Sequence, residues 1–278
     1  MQSKEPQRRN SSAISSGERH STARKDPLQR QKNVLEWYDI IGDIHGCYDE
    51  LCELLQKLDY TVDAEKHAAT PPQGRIAVFL GDLCDRGPKN ADVLKLVMKM
   101  VKEGHALAVP GNHDAKLLKK LNGRPVQLTN GLDGTVEDLE RQPSKFVQEV
   151  RVFLDALPSH YVLDEGKLVV AHAGLKESLQ GHASSRVRDF CLYGDTTGEV
   201  DEYGLPVRLD WASEYHGRAL VVYGHTPQLE AREMNHTLCI DTGCAFGGKL
   251  TAYRYPENQL VQVQAHRQYY APAKPLGS

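Results

Sequence analysis

No two cysteines form a CxxC pair, although the chain has six, at positions 47, 52, 84, 191, 239 and 244 of 278. That spacing argues against a zinc-thiolate frame, and the length argues against a disulfide-dense scaffold; reduced thiols in a cytoplasmic protein are the expectation. No apolar run approaches the ~20 residues that cross a bilayer, and no signal-peptide core follows the basic start. The cytoplasm is therefore the expected location, with no membrane partner. Net charge is only −3, so no overall basic field gathers nucleic acid. No internal repeat is visible.

What is present is an ordinary globular composition, 40% hydrophobic and 26% charged. The length suits one large domain or two small ones with a sizeable core. Charge is uneven: residues 1–33 carry eight Lys/Arg against three acids, +5, which leaves −8 for the remainder. That first stretch is too poor in apolar residues to offset its ordering entropy. It is expected to be a disordered basic tail or linker, followed by one domain over residues 34–266 and a loose tail over residues 267–278.

Between the tails, strand and helix patterns alternate. "YDIIGD" is a short buried strand, and "DELCELLQKL" repeats leucine at helical spacing (Leu51, Leu54, Leu55, Leu58). "RIAVFLGD" and "HALAVPGNHD" read as further strands. "NADVLKLVMKMVKEG" reads as a helix capped by Asn90 and stopped at Gly104. A more helical middle runs over about 135–157. "KLVVAHAG", "RALVVYGHT" and "TLCIDTGC" are strands, and "KLTAYRYPENQLVQVQA" is a hairpin. The class is α/β, with strands covered by helices.

Five of these strands run into polar, glycine-rich turns: "IIGDIHG", "VFLGDLCDRG", "AVPGNHD", "VVAHAG" and "VVYGHT". Ligands bind beyond the carboxyl ends of strands in open α/β sheets. Here those ends carry Asp43, His45, Asp82, Asp85, Arg86, Asn112, His113, His172 and His225. Asp43 and His45 are two apart, so an extended chain points both to one side. Carboxylate, imidazole and carboxamide without an obligatory thiolate suit Mn²⁺, Fe or Zn²⁺, and the donors are too many for one tetrahedral ion. Cys84, inside the second motif, reads as a small buried hydrophobe.

These five motifs, in this order over about residues 38–255, resemble the calcineurin-like metallophosphoesterases of the phosphoprotein phosphatase branch. The resemblance implies a β-sandwich flanked by helices. It also implies two divalent ions, Mn²⁺ first, with Ni²⁺, Fe²⁺ or Zn²⁺ as alternatives. Asp43, His45 and His225 would hold one ion, Asn112 and His172 the other, and Asp82 would bridge both. Arg86 would clamp phosphate, with Asn112 and Asp241 also positioned toward substrate. His113 would act as the acid at the leaving oxygen, oriented by Asp85. A metal-bridging hydroxide would then attack phosphorus in line.

The finer resemblance is to the phosphatase module of bacterial polynucleotide kinase-phosphatase, through "GDLCDRGPKNADVLKLVM", "LYGDTTGE" and "IDTGCAFGGKLTA". It implies removal of 2′- or 3′-terminal phosphates from RNA ends and opening of 2′,3′-cyclic phosphates, with phosphorylated RNA ends as the partner. Kinase and ligase repair modules would be further partners. A GxxxxGK[ST] loop is absent, so the kinase is not encoded here, and the chain is expected to be a stand-alone relative or an excised domain. A bacterial-type protein Ser/Thr phosphatase and a dinucleoside tetraphosphate hydrolase are the alternatives. The symmetrical hydrolases also have GNHD but generally alanine at the position of Asp85. A metal-dependent scaffold in a repair complex is the non-enzymatic one. Shaping its own turn is the other reading of Asp241; Arg186 and Arg188, and Tyr269 and Tyr270 beside Arg267, are candidate nucleic-acid contacts that surface exposure or packing also explains.

Overall fold

The element order starts with β1 (Trp37–Ile41), α1 (Tyr48–Lys57) and a small hairpin of β2 (Thr61–Asp63) and β3 (Ala68–Thr70). It continues with β4 (Arg75–Phe79), α2 (Asn90–Lys102), β5 (Ala106–Ala108), α3 (Asn112–Leu121), α4 (Leu132–Glu140) and α5 (Ser144–Ala156). The second half contains β6 (Tyr161–Leu163), β7 (Leu168–Val170), α6 (Ser185–Tyr193), β8 (Thr196–Val200), β9 (Pro206–Arg208) and β10 (Leu220–Tyr223). It ends with β11 (Arg232–Met234), β12 (Thr237–Cys239), β13 (Lys249–Tyr255) and β14 (Gln259–Gln264). This computed structural model describes residues 37–274 and residue 276. The expected basic tail over residues 1–33 lies outside the described residues.

The strands form two five-stranded sheets, ordered β14-β13-β1-β4-β5 and β11-β12-β10-β7-β6. Their central strands are parallel, β1 with β4 and β4 with β5 in the first sheet, and β7 with β10 and β10 with β12 in the second. Strand alternation explains why the sheets stack. Tyr38, Ile40 and Val78 from the first sheet meet Leu168, Val170, Val222 and Leu238 from the second in one buried cluster. Opposite-facing residues such as Ile41, Ala77 and Phe79 pack against leucines of α1 and α2. The outer face of the second sheet buries Val169 and Val221 against Phe190 of α6 and Trp211. The result is the expected β-sandwich flanked by helices.

One detail departs from the sequence reading in a way that matters for the site. The five motif-bearing strands do not share one sheet edge. β1, β4 and β5 belong to the first sheet, while β7 and β10 belong to the second. Strand-by-strand patterns cannot separate these cases, because all five are equally apolar.

Helix ends also differ locally. Asn90 is the first residue of α2 and does not cap it; its side-chain oxygen accepts from Asp85 N–H at 2.8 Å instead. Asp138 Oδ2 of α4 accepts from Ala91 N–H at 2.8 Å and supplies the missing cap from another helix. Gly104 ends the helix in the left-handed region, φ 76°, as expected. Pro143 divides the helical middle into α4 and α5. Residues 267–270, read from sequence as the start of a loose tail, are hydrogen-bonded: Tyr269 and Tyr270 N–H both donate to Ala245 O. All six cysteines are buried and unbridged. Among the described residues, no helix is long and apolar enough to cross a membrane.

Candidate active site

Loops from both sheets are joined through their backbones. His45 N–H donates to Asp82 O at 2.8 Å, and Gly46 N–H to Leu83 O at 3.0 Å. On the second sheet, Gly224 N–H donates to His172 O at 2.8 Å. The two halves meet where His225 N–H donates to Asp43 Oδ2 at 3.1 Å. A β-carbon on Gly224 would collide with Asp43 Oδ1, and one on Gly111 with Asp82 Oδ1. Glycine at these two points leaves room for the carboxylates.

The loops are bent rather than extended. His45, Asp82, Asp85, Arg86 and His225 have φ between 47° and 75°. Non-glycine residues seldom occupy this region, at a cost of about 1 kcal/mol or more each. The expected extended Asp43–His45 geometry is therefore replaced by a left-handed turn at His45. Asp43, His45, Asp82, Asp85, His113, His172 and Asp241 are all buried.

Hydrogen bonds fix two imidazole tautomers. His45 Nδ1 lies 2.9 Å from Cys84 O, and His172 Nδ1 lies 2.9 Å from Leu80 O. A carbonyl only accepts, so each Nδ1 carries the proton and each Nε2 presents a lone pair. His172 Nε2 sits 3.1 Å from Asn112 Oδ1, 3.0 Å from His225 Nδ1 and 3.5 Å from Asp82 Oδ1. His225 Nδ1 is also 2.8 Å from Asn112 Oδ1. His45 Nε2 lies 3.5 Å from Asp82 Oδ2. His225, expected beside Asp43 and His45, stands with its ring beside Asn112 and His172 and gives Asp43 a backbone hydrogen bond.

Lone pairs packed this closely repel unless a cation lies among them. Asp43 Oδ1 is buried with no hydrogen-bond partner among the described residues, which is the condition of an oxygen donor awaiting an ion. Two groups, His45–Asp82–His113 and Asp82–His172–His225, each bring ligand atoms within 4.8 Å, and Asp82 belongs to both. The residues present therefore fit a centre of two divalent ions sharing one carboxylate.

Electrostatics agree with that fit. Burial would raise the Asp82 carboxyl, but attraction to the protonated forms of His172, His113, His45 and His225 outweighs it and lowers Asp82 below the usual range. Its Oδ1 also accepts His113 N–H at 2.9 Å from the first turn of α3. Burial, followed by the charges of Asp241 and Asp82, raises Asp43. Burial pushes Asp241 up to about 6. Burial lowers His45, His172 and His225, so the rings are neutral, the state that binds a metal.

Beside this centre, His113 Nδ1 donates to Asp85 Oδ2 at 2.7 Å. Asp85 is held in turn by the Thr135 hydroxyl, which donates to Oδ1 at 2.5 Å. Arg86 Nη1 donates to His45 Nε2 at 2.6 Å, its guanidinium lies 4.9 Å over the Phe246 ring, and its buried Nε–H has no partner among the described residues. Asp241 Oδ1 accepts Gly243 N–H at 3.0 Å, so it does shape its turn. It also lies close enough to raise Asp43.

Sequence reasoning missed Thr135, Asp114 and Phe246 as supports. Asp114 accepts Leu83 and Gly111 N–H and so ties the second motif to the third. Its place in GNHD was the only signal; Thr135 and Phe246 carried none. Two cavities open beside the centre. One, about 430 Å³, is lined by Arg86, Gly87, Pro88, Arg267, Gln268 and Tyr269. The other, about 390 Å³, reaches His225 and is bordered by Arg208 and Trp211. Arg186 and Arg188 line neither.

The family model of the calcineurin-like phosphoesterases matches residues 38–254. The asymmetrical bis(5′-nucleosyl)-tetraphosphatase PrpE of Bacillus subtilis (strain 168) is 47% identical over 236 residues, covering 84% of this chain and 96% of that protein. PrpE of Anoxybacillus flavithermus is also 47% identical, over 238 residues, with the same coverage. A solved structure provisionally described as a diadenosine tetraphosphatase superposes with TM-score 0.61 at 25% identity, covering 84% of this chain and 96% of that one. A protein serine/threonine phosphatase from Saccharomyces cerevisiae, TM-score 0.58 at 13% identity, covers 83% and 79% and shares the fold. Residues 38–254 take in every loop that builds the centre, and the chain belongs to the calcineurin-like phosphoesterase family, as a metal-dependent hydrolase of phosphoesters.

Proposed function

We propose that this protein hydrolyses dinucleoside tetraphosphates off centre, giving one nucleoside triphosphate and one nucleoside monophosphate per water consumed. The observation that carries this reading is the 47% identity to an asymmetrical tetraphosphatase along nearly all of that protein's length. It replaces RNA-end healing as the main reading, because relatives matched at 44–47% identity bear the tetraphosphatase name. The objection raised by Asp85 concerned symmetrical enzymes, and these relatives are asymmetrical.

Asp43, His45, Asp82, Asn112, His172 and His225 would hold two divalent ions, with Mn²⁺ the first candidate. Bound ions supply Lewis acidity toward the phosphoryl oxygens and toward water. Arg86 offers planar N–H donors to the phosphoryl oxygens. His113 would give the proton on Nε2 to the departing phosphate oxygen. Asp85, on Nδ1–H, would keep that ring oriented and stabilise its charged form. The cytoplasm is the compartment that suits free thiols and nucleotide substrates.

The test is turnover with Mn²⁺ on equal amounts of four substrates. They are diadenosine tetraphosphate, RNA ending in 2′,3′-cyclic phosphate, the same RNA with 3′-phosphate, and a phosphoserine peptide. Fastest loss of the dinucleotide, with ATP and AMP in equal amounts, is expected. ADP as the only product would defeat the asymmetrical reading, and preference for either RNA would reinstate RNA-end chemistry.

A further inference from the structure

The metal centre accounts for one reacting phosphate, but a dinucleoside tetraphosphate carries three more phosphates and two nucleosides. Two cavities adjoin the centre, and their charges differ. The one that reaches His225 has Asp195, Asp201 and Asp210 in its wall together with Arg208, Arg232 and Lys274. Arg232 is already paired with Asp210 at 2.6 Å. A polyphosphate entering there would meet three carboxylates as well as the three cations. The one beside Arg86 has two guanidiniums and no carboxylate in its wall.

Arg267, the second guanidinium, is exposed. Among the described residues it makes no ion pair, and its contact is the Tyr269 ring, 5.1 Å from ring centre to guanidinium. Tyr269 is itself fixed. Its hydroxyl donates to buried Glu50 Oε1 at 2.7 Å, and its N–H donates to Ala245 O at 3.0 Å. Ala245 adjoins Phe246, the ring beneath Arg86. Both arginines therefore lie against aromatic rings anchored by the same turn. The volume, about 430 Å³, falls within the range of small-molecule sites.

We propose that the cavity between Arg86 and Arg267 is a subsite for the nucleotide portion of the substrate beyond the reacting phosphate. Arg267 binds the phosphates that Arg86 does not reach. This rests on the tetraphosphatase reading for its natural ligand, but it has its own test. ATP, which carries a polyphosphate and a nucleoside, is titrated as a competitive inhibitor of p-nitrophenyl phosphate hydrolysis with Mn²⁺ in excess. Its binding is also measured directly by calorimetry. Inorganic phosphate, small enough to sit at Arg86 alone, is the control.

In Arg267→Ala the Ki for ATP is expected to rise about tenfold, the loss of a charge-assisted contact, while the Ki for phosphate changes less than twofold. Arg267→Lys should recover most of the ATP affinity. An unchanged ATP Ki, or equal rises for ATP and phosphate, would overturn the subsite. If ATP binding depends on Arg267 but diadenosine tetraphosphate is not hydrolysed, the subsite stands and the tetraphosphatase reading fails. If the dinucleotide is hydrolysed and ATP binding ignores Arg267, the subsite fails and the reading stands.

Discussion

Thr135 lies fifty residues beyond Asp85 in sequence and touches it twice: its hydroxyl oxygen accepts Asp85 N–H at 3.0 Å and donates to Asp85 Oδ1. The side chain is completely buried. Thr135→Val keeps the volume and removes the hydroxyl, which leaves Asp85 Oδ1 without that donor. Hydrogen bonds to charged groups contribute about 1.5–3 kcal/mol, so kcat should fall roughly 10–100-fold. Metal content should stay constant, because Thr135 touches none of the residues assigned to the ions. Thr135→Ser, which keeps the hydroxyl, should restore kcat. Unchanged kcat in Thr135→Val would mean that Asp85 needs no second hold on its orientation.

At the scale of elements, α1 receives the chain as it leaves β14. His266 N–H donates to Glu50 Oε1 at 2.9 Å, and His266 Nε2 lies 2.7 Å from Glu53 Oε1. The Glu53 hydrogen bond raises His266 above its ordinary 6.5. A group raised on folding contributes stability that is complete below its unfolded pKa and is lost as pH rises through the folded one. The stability difference between wild type and Glu53→Gln should therefore be largest at pH 5.5 and shrink by pH 8.5, by a small amount because the pair is half exposed. Urea midpoints at the two pH values check this, and a constant difference would rule the pair out as a pH-dependent tie. The helices themselves were legible, since leucine spacing in α1 and the Gly104 stop of α2 are local signals. The five motifs were legible too, down to the residues that converge. Their division between two sheets was not, because β1 finds β13 through pairings such as Ile40 with Tyr253 that no local pattern encodes. The caps from Asp138 and the hold by Thr135 were hidden for the same reason, as was the docking of Tyr269.

For the whole molecule, the centre is a local cost that metal offsets. Asp43 is buried, one of its oxygens has no partner among the described residues, and Asp82 and Asp241 lie near enough to raise it. Asp43→Asn should raise the melting midpoint of metal-stripped protein while abolishing phosphoesterase activity. Wild type should instead gain stability from Mn²⁺: at a hundredfold excess over Kd the gain is about 2.7 kcal/mol, or roughly 5–10 °C for a chain of this size. Calorimetry with chelator and with Mn²⁺ reads both. A destabilised metal-free Asp43→Asn would show that the carboxylate is satisfied without an ion. In the sandwich core, the buried contacts among Ile40, Val78, Leu168 and Val222 hold the two sheets, and hence the two halves of the centre, in place.

The position of β1 between β4 and β13 has a consequence during synthesis. Asp43, His45 and Asp82 leave the ribosome early, yet β1 lacks its second neighbour until β13 is made, about 210 residues later. At bacterial to eukaryotic elongation speeds that wait is roughly 10–40 s. His172 and His225 arrive within it, so the nascent chain exposes half a centre before it owns a whole one. The pairing of β1 with β13 thus closes only after every residue assigned to the centre has been synthesised.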